Sequence, residues 1–526
     1  MPLRLTDEAL LATRKAFAKI AAENGIAPGK YTRKEATSVV RKMQESLVRH
    51  FENSITDFDR LTLHSILLHH YSSELFSSYI NYGGYELSNE IDQSLQQKNK
   101  KKLIEAREEN KQMQISLLYI IETNLFLTSN RGNKVPNTFD IENLVAFSHW
   151  LGILQSNSDM CFHTLSDTWF IILDDYRVNV ELSEDYQAHL DAIKKRTYDS
   201  EIYAVRGDAE DKEHFEKVNQ GFFLDTGIDF RVLESVLKQL MECSFPRDQV
   251  DFYEIEPNVI RINKDVAIND YKNYVIENVS TDMIQKAYNF LTILPEKLKT
   301  INNHQHKILP VWERKQRNYR FDVTPLLLVG DSYIFSPVMI KELHNRWVNG
   351  WLQFYPPYEI GLDNALNALW DWKERYEHLF SSDVRDAFRE KNYVFAEADI
   401  DIRRWDRKGN HPTINILGDY DVIALDIERK KLFVLECKVL QPIGSIFEHS
   451  MEQIRFFEKE KYDEKFQRRI DYLKGNYRTF FGNLGYDIGN EEFNIRPYMV
   501  VNKVFDSYYK KINFSIVTFD ELKEMM

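Results

Sequence analysis

Residues 414 to 440 read INILGDYDVIALDIERKKLFVLECKVL, two apolar runs joined by a short charged turn, and no other stretch constrains the fold as tightly. Asp421 opens the first run, Glu428 to Lys431 make the turn, and Leu432 to Leu435 lead directly into Glu436, Cys437 and Lys438. Alternate side chains of a strand share a face, so Glu436 and Lys438 are expected on one side and Cys437 on the other. Pairing the two runs as a hairpin brings Asp421 beside that face. Two carboxylates on one side of a rigid sheet make a hard, oxygen-rich site suited to Mg²⁺ or Mn²⁺, and a lysine next to them holds or deprotonates a water. That is the chemistry of phosphodiester hydrolysis.

A Glu-x-Lys tripeptide alone carries no information in a chain that is 28% charged, and it recurs at Glu109, Glu210, Glu313, Glu428 and Glu521. Glu436 and Lys438 differ by context. They alone end a run of four large apolar residues, and they alone follow a strand that begins with an Asp. Charge at the end of an apolar strand costs several kcal/mol unless it is paired or metal-bound. The competing reading is an ion pair of Lys438 with Glu436 or Asp421 at the rim of an ordinary sheet.

Gly418-Asp419-Tyr420-Asp421, the apolar strand, the turn and Leu435-Glu436-Cys437-Lys438 resemble the core of the PD-(D/E)XK, or restriction-endonuclease-like, nuclease superfamily. The resemblance implies that Asp421 and Glu436 are metal ligands and Lys438 the catalytic lysine. It also places a catalytic Glu on the preceding helix, where Glu377 stands, and a Gln on the following helix, where Gln453 stands. No Pro precedes the Asp, and Asp419 is a second candidate for the role given to Asp421. Leu379, Phe380, Val384 and Phe388 keep a roughly helical spacing, and Tyr393 to Phe395 could begin a first strand. Ile446 to Tyr477 reads as a long helix, Ile495 to Asn502 and Phe514 to Phe519 as strands, and Asp520 to Met525 as a helix capped by Asp520. The order helix, three strands, helix, strand, strand matches a restriction-endonuclease-like mixed sheet flanked by helices, covering roughly Trp370 to Met526.

At 526 residues the chain is too long for one core, and four segments are expected. They are a helical domain at 1–130, a second helical domain at 138–245, a mixed α/β adapter region at 246–365 and the nuclease-like domain at 366–526. The fold class is thus multidomain, a mostly helical N-terminal region followed by a C-terminal α/β domain. In the first segment, residues 6 to 24 form a helix and Gly83-Gly84 marks a turn, while Ser129 to Thr138 has the composition of a linker. The acidic run Asp208 to Glu213 reads as surface. In the third, Val259 to Asn263 is a strand, Thr281 to Leu291 a helix, Pro325 to Pro337 a hairpin, and Val338 to Phe354 a helix ended by Pro356-Pro357.

The 43% hydrophobic content fills such cores. No segment approaches the roughly 18 uninterrupted apolar residues of a membrane span, so no membrane partner is expected. The start, MPLRLTDEALLATRKAF, reads as an amphipathic helix and not a leader. Three widely spaced cysteines, Cys161, Cys243 and Cys437, suit a reducing compartment, and a cytoplasmic location is expected.

A net charge of −13 disfavours a protein coated in DNA but permits a local groove. Arg455, Lys459, Lys461, Lys465, Arg468, Arg469, Lys474 and Arg478 crowd the helical stretch after the second strand, among Phe456, Phe457, Tyr462, Tyr472 and Tyr477. With Gln453, the residues Arg455, Lys459, Arg468 and Arg469 are the nucleic-acid contact candidates. The alternative is a solvated helix whose acids pair with these cations. Arg314, Lys315, Arg317 and Arg320 form a second basic patch. There is no P-loop or Gly-x-Gly-x-x-Gly, and His64, His69 and His70, like His304 and His306, lack ligand spacing.

These observations lead to the expectation of a Mg²⁺-dependent (or Mn²⁺-dependent) deoxyribonuclease, an endonuclease acting on DNA. The layout also resembles prokaryotic antiviral defence effectors, which implies a homo-oligomer or a regulatory partner protein acting through the helical N-terminal region. The alternatives are a noncatalytic nucleic-acid-binding or scaffold protein with a degenerate nuclease fold, and an RNase of the same fold.

Overall fold

The structure, a computed structural model, describes residues 3–86, 93–129, 131–164, 167–199, 209–246, 250–252, 258–274, 279–298, 308–314, 317–359, 361–401, 417–440, 446–490, 492–505 and 510–526. The expectations on Gly207, Asp208, His304, His306, Lys315 and Ile414 to Ile416 lie outside the described residues. The chain is mostly helical and forms two compact units. One comprises residues 1–162, 168–181 and 215–368, and the other residues 163–167, 182–214 and 369–526.

The first unit does not divide at 130 or at 245 as expected. Phe51 stacks on both Tyr119 and Phe147, Phe222 packs edge-on to Trp347, and the fully buried Arg317 and Glu122 pair at 2.7 Å. These contacts join residues from all three N-terminal segments in one core. Within the expected linker at 129–138 the residues Gly132 and Lys134 are packed, because Lys134 bridges Phe58 and the Gly132 N–H donates to the Thr56 carbonyl at 2.7 Å. A Cβ at Gly132 would lie 2.1 Å from the Asp57 carbonyl oxygen, so only glycine allows this approach. The helix Arg60–Glu86 continues through Gly83-Gly84 where a turn was expected. The roughly 1 kcal/mol that each helical glycine costs is small against a helix of that length. A four-stranded antiparallel sheet contains Ile260–Asn263 and the hairpin Leu327–Val329 with Ser332–Phe335, close to the expected positions. Among the described residues no helix is long and apolar enough to cross a membrane.

In the second unit we number the elements α1 (Asp363–Glu390, from Leu369 on), β1 (Phe395–Asp401), β2 (Asp419–Asp426), β3 (Lys431–Lys438), α2 (Ile446–Ile454), α3 (Tyr462–Asn483), β4 (Asn494–Val501), β5 (Ser515–Thr518) and α4 (Phe519–Met525). The sheet is mixed, in the order β5-β4-β3-β2-β1, with β3, β4 and β5 parallel and β1, β2 and β3 antiparallel. Its centre is β3, apolar on both faces as a strand covered on both sides must be. Leu432 and Val434 meet Phe466, Ile470 and Leu473 of α3, whereas Phe433, Leu435 and Cys437 meet Phe380, Val384 and Phe388 of α1 and Phe519 and Leu522 of α4. Each such side chain contributes roughly 1.5–3 kcal/mol on burial.

Residues 182–214 also belong to this unit. Arg196 forks onto Glu521, both bonds at 2.8 Å, and Asp211 accepts from the Trp372 indole at 3.0 Å and from Arg375 at 3.2 Å. Asp211 is therefore a tie to α1 and not the plain surface residue expected of that acidic run. The long helix expected from Ile446 to Tyr477 is broken. A π-type turn at Arg455–Lys459 points Phe456 and Phe457 both inward, and Lys461, with a left-handed backbone at φ 52°, separates α2 from α3. The cap of α4 is Thr518 and not Asp520. Thr518 accepts from Glu521 N at 3.3 Å while Glu521 Oε2 accepts from Thr518 N at 2.7 Å, a reciprocal pair.

Gly132→Ala is expected to lower the free energy of unfolding, measured in denaturant, by about 2 kcal/mol, the scale of a forced overpacking against backbone. An unfolding free energy equal to that of the native chain would show that Gly132 is not held against Asp57 as described.

Candidate active site

The antiparallel register of β2 and β3 runs from Asp426 opposite Lys431 to Val422 opposite Leu435, and the next step sets Asp421 opposite Glu436. Backbone pairing stops there. The Asp421 side chain takes over, its Oδ2 accepting the Cys437 N–H at 2.6 Å. Gly418, at φ 71°, turns the chain into β2 just before this point, a backbone that glycine adopts without strain. Strand alternation then places Glu436 and Lys438 on the α3 face and Cys437 on the α1 face, as expected.

Glu436 is only 2% exposed. Lys438 Nζ lies 3.0 Å from its Oε1 and 3.8 Å from Asp421 Oδ2. Arg469 of α3 approaches the same carboxylate with both arms, Nη2 donating to Oε1 at 3.1 Å and Nη1 standing 2.7 Å from Oε2. The second contact is an ion pair off the line of a hydrogen bond, so Oε2 is a buried oxygen without a directed donor. Arg469 Nη1 also donates to the Asp419 carbonyl, and Tyr420 Oη donates to the Arg469 carbonyl at 2.8 Å. Tyr462, at the start of α3, sets its ring 5.1 Å below the Lys438 ammonium. An isolated anion this deep would cost several kcal/mol, and the two cations offset that cost.

The charges shape one another. Burial and then the Glu436 anion push the Asp421 carboxyl up to about 7, against the opposing pull of Lys438, the Cys437 N–H and Arg469. Burial alone would lower Lys438, but Glu436, Asp421 and Glu377 hold its ammonium well above the ordinary lysine range. Lys438 is therefore kept as a charged ammonium at neutral pH, a hydrogen-bond donor without a free lone pair. Burial pushes the Cys437 thiol well above its ordinary range, which leaves it protonated and inert.

Asp421, Glu436 and Lys438 thus meet in one place. Of the two candidate aspartates, Asp421 faces the site, while Asp419 contributes its carbonyl and leaves its side chain exposed. Glu377 lies on α1, paired with Lys373 at 2.7 Å, near enough for its charge to act on Lys438. The expected nucleic-acid contacts divide. Lys459 and Arg468 are exposed, and Arg455 is half-buried and forks onto Glu452 at 2.6 and 2.9 Å. Gln453 is fully buried with Nε2 3.4 Å from His449 Nε2, and Arg469 is turned inward onto Glu436, so neither presents a side chain to solvent. Arg469 shares the inner face of α3 with Phe466, Ile470 and Leu473, and that helical spacing was the signal for its inward position. Asp399 of β1 flanks Asp421 in register, yet its left-handed backbone at φ 52° goes with a pairing to His378 Nδ1 at 3.1 Å.

Among the described residues no group of three or more His, Cys, Asp and Glu side chains gathers as a metal cage. A two-carboxylate set still fits Mg²⁺ or Mn²⁺, since such ions keep several waters and take one or two carboxylates together with substrate phosphate. Glu436 Oε2, buried and without a directed donor, and the adjoining Asp421 carboxylate are the oxygens that would hold it. Comparison with family models, with curated proteins and with solved structures finds no match for this chain.

The raised Asp421 has a consequence for stability. Its ordinary value is 3.8, so between about pH 4 and pH 7 the unfolded chain loses this proton while the folded chain keeps it. The stabilisation from this group is fully present below pH 4, falls as pH rises and is gone above about pH 7. Asp421→Asn cannot ionise. It is expected to gain on the native chain across that window, by on the order of 2 kcal/mol at pH 8 in denaturant unfolding, and parallel pH profiles would contradict the assignment.

Proposed function

We propose that the second unit hydrolyses phosphodiester bonds in nucleic acid with the help of a divalent cation, and that DNA is its substrate. The observation that carries this reading is the convergence of Asp421, Glu436 and Lys438 at the ends of two paired strands, on one face of the sheet. The mixed sheet with α1 before it and α2 and α3 between β3 and β4 supports the restriction-endonuclease-like fold suggested by the sequence.

A bound Mg²⁺ or Mn²⁺ would polarise a phosphoryl oxygen and lower the pKa of a water. Asp421 and Glu436 hold their carboxylates on rigid strands, which orients the site without a further ordering cost. Lys438, kept protonated by its neighbours, donates a hydrogen bond to the attacking water or to a phosphate oxygen and stabilises charge that grows in the transition state. Glu377 sits where it can orient a water beside Lys438. The exposed Lys459 and Arg468 are suited to phosphates farther along the backbone.

A second reading has its own observation. The cations around Glu436 balance its charge without a metal, as in a purely structural ion cluster. Supercoiled plasmid, linear duplex, single-stranded DNA and RNA incubated with purified protein separate the two. Cleavage is expected with Mg²⁺ or Mn²⁺ and none with a chelator. Lys438→Ala and Glu436→Gln are each expected to lower the rate about 100-fold or more. Cutting that persists undiminished in both variants, or no cutting of any substrate by the native chain, would favour the structural cluster.

A further inference from the structure

The site is balanced before any metal arrives. Asp421 and Glu436 bring two carboxyls, Lys438 and Arg469 bring two fixed positive charges, and every one of these contacts lies within 4 Å. A divalent cation added to such a set would meet a guanidinium already forked over one of its two carboxylates. Like charges this close repel strongly in a buried site. Arg469 and a metal on Glu436 therefore compete for the same oxygens.

The surroundings of Arg469 indicate how the competition is resolved. Its backbone is fixed, since the Tyr420 hydroxyl donates to the Arg469 carbonyl at 2.8 Å and Phe466, Ile470 and Leu473 anchor α3 on the sheet. Its guanidinium donates to the Glu436 carboxylate and the Asp419 carbonyl, while Nε makes a long bond of 3.5 Å back to the Lys465 carbonyl of its own helix, a contact that does not fix the two outer nitrogens. The helix can stay in place while the planar head changes partner. A guanidinium forced off a carboxylate matches one other planar or tetrahedral anion with the same two-point geometry, a phosphate. In a site that handles a phosphodiester, that anion arrives with the substrate.

We propose that Arg469 is the residue that couples divalent-cation binding to nucleic-acid binding. In the free protein it is the counter-ion of Glu436. When Glu436 turns to a metal, Arg469 transfers its fork to a phosphate of the bound strand. This rests on the metal-dependent reading above and extends it. The protein alone binds the metal weakly, the protein with nucleic acid binds it tightly, and by linkage the metal strengthens nucleic-acid binding by the same factor. Arg469 is a positioning residue in the free protein and a phosphate ligand in the loaded one.

The test is Mn²⁺ binding, followed by the electron paramagnetic resonance of the free ion, to the native full chain, Arg469→Met, Arg469→Lys and Glu436→Gln. Each is titrated with and without a duplex whose linkages are phosphorothioates that resist cutting. Far-ultraviolet circular dichroism checks the fold of each variant. In the protein alone, Arg469→Met is expected to bind Mn²⁺ about tenfold more tightly than the native chain, a coupling of ordinary size. The duplex is expected to tighten Mn²⁺ binding to the native chain and to leave Arg469→Met unchanged. Arg469→Lys, which keeps the charge and loses the fork, is expected to fall between.

Equal Mn²⁺ affinity in the native chain and Arg469→Met, with Glu436→Gln unable to bind, would overturn the coupling and leave the metal site standing. No Mn²⁺ binding by any folded protein, with or without duplex, would overturn both. Should Arg469→Met not fold, the native chain still decides. Its Mn²⁺ affinity must rise when duplex is added, and an affinity indifferent to duplex rejects the proposal.

Discussion

The second unit is organised around one buried anion. Glu436 stands at the end of the central strand, 2% exposed, at the point where the hairpin pairing of β2 and β3 gives out. Burying it is tolerable only because Lys438 reaches it from two residues along the same strand and Arg469 reaches it from the helix above. Arg469 in turn holds the Asp419 carbonyl, and its own carbonyl accepts from Tyr420. Strand β2, strand β3 and helix α3 are thereby tied at a single point. The aliphatic rows of β3 supply most of the energy, but they are non-directional. The ion cluster selects which way α3 must sit.

Asp421 occupies the other half of the same arrangement. It has no cation of its own at close range, since Lys438 is nearer Glu436, and it accepts a backbone N–H in place of one. Burial beside the Glu436 anion raises the proton affinity of Asp421, while the ammonium stays charged. A lysine held as an ammonium between these carboxyls is suited to orienting water and phosphate. An ammonium so held has no lone pair with which to abstract a proton.

The strands were legible because VIAL and LFVL are continuous apolar runs joined by a charged turn, and strand geometry by itself sets Glu436 and Lys438 on one face and Cys437 on the other. The position of Arg469 was written in the same way, at helical spacing from Phe466, Ile470 and Leu473, but charge density along the stretch pointed outward and outweighed it. The break at Lys461 was not legible, since nothing in a run of charged residues signals a left-handed backbone outside glycine or asparagine. Division into units was least legible of all. Asp211 and Arg196 join helices α1 and α4 of the second unit through partners 161 and 325 residues away in sequence, and composition carries no trace of such pairings. The buried Glu122 and Arg317 pair, 195 residues apart, likewise fuses segments that turn residues had separated.

The central claim is that the Asp421 and Glu436 carboxylates form one cation site. Crystals of the native chain grown with a DNA duplex and Mn²⁺, measured near the manganese absorption edge, test it most directly. The account predicts an anomalous difference peak between these two carboxylates, with Arg469 turned away from Glu436. Manganese at other positions only, with Arg469 still forked on Glu436, would contradict it and leave the cluster as an ion network that holds a sheet to a helix.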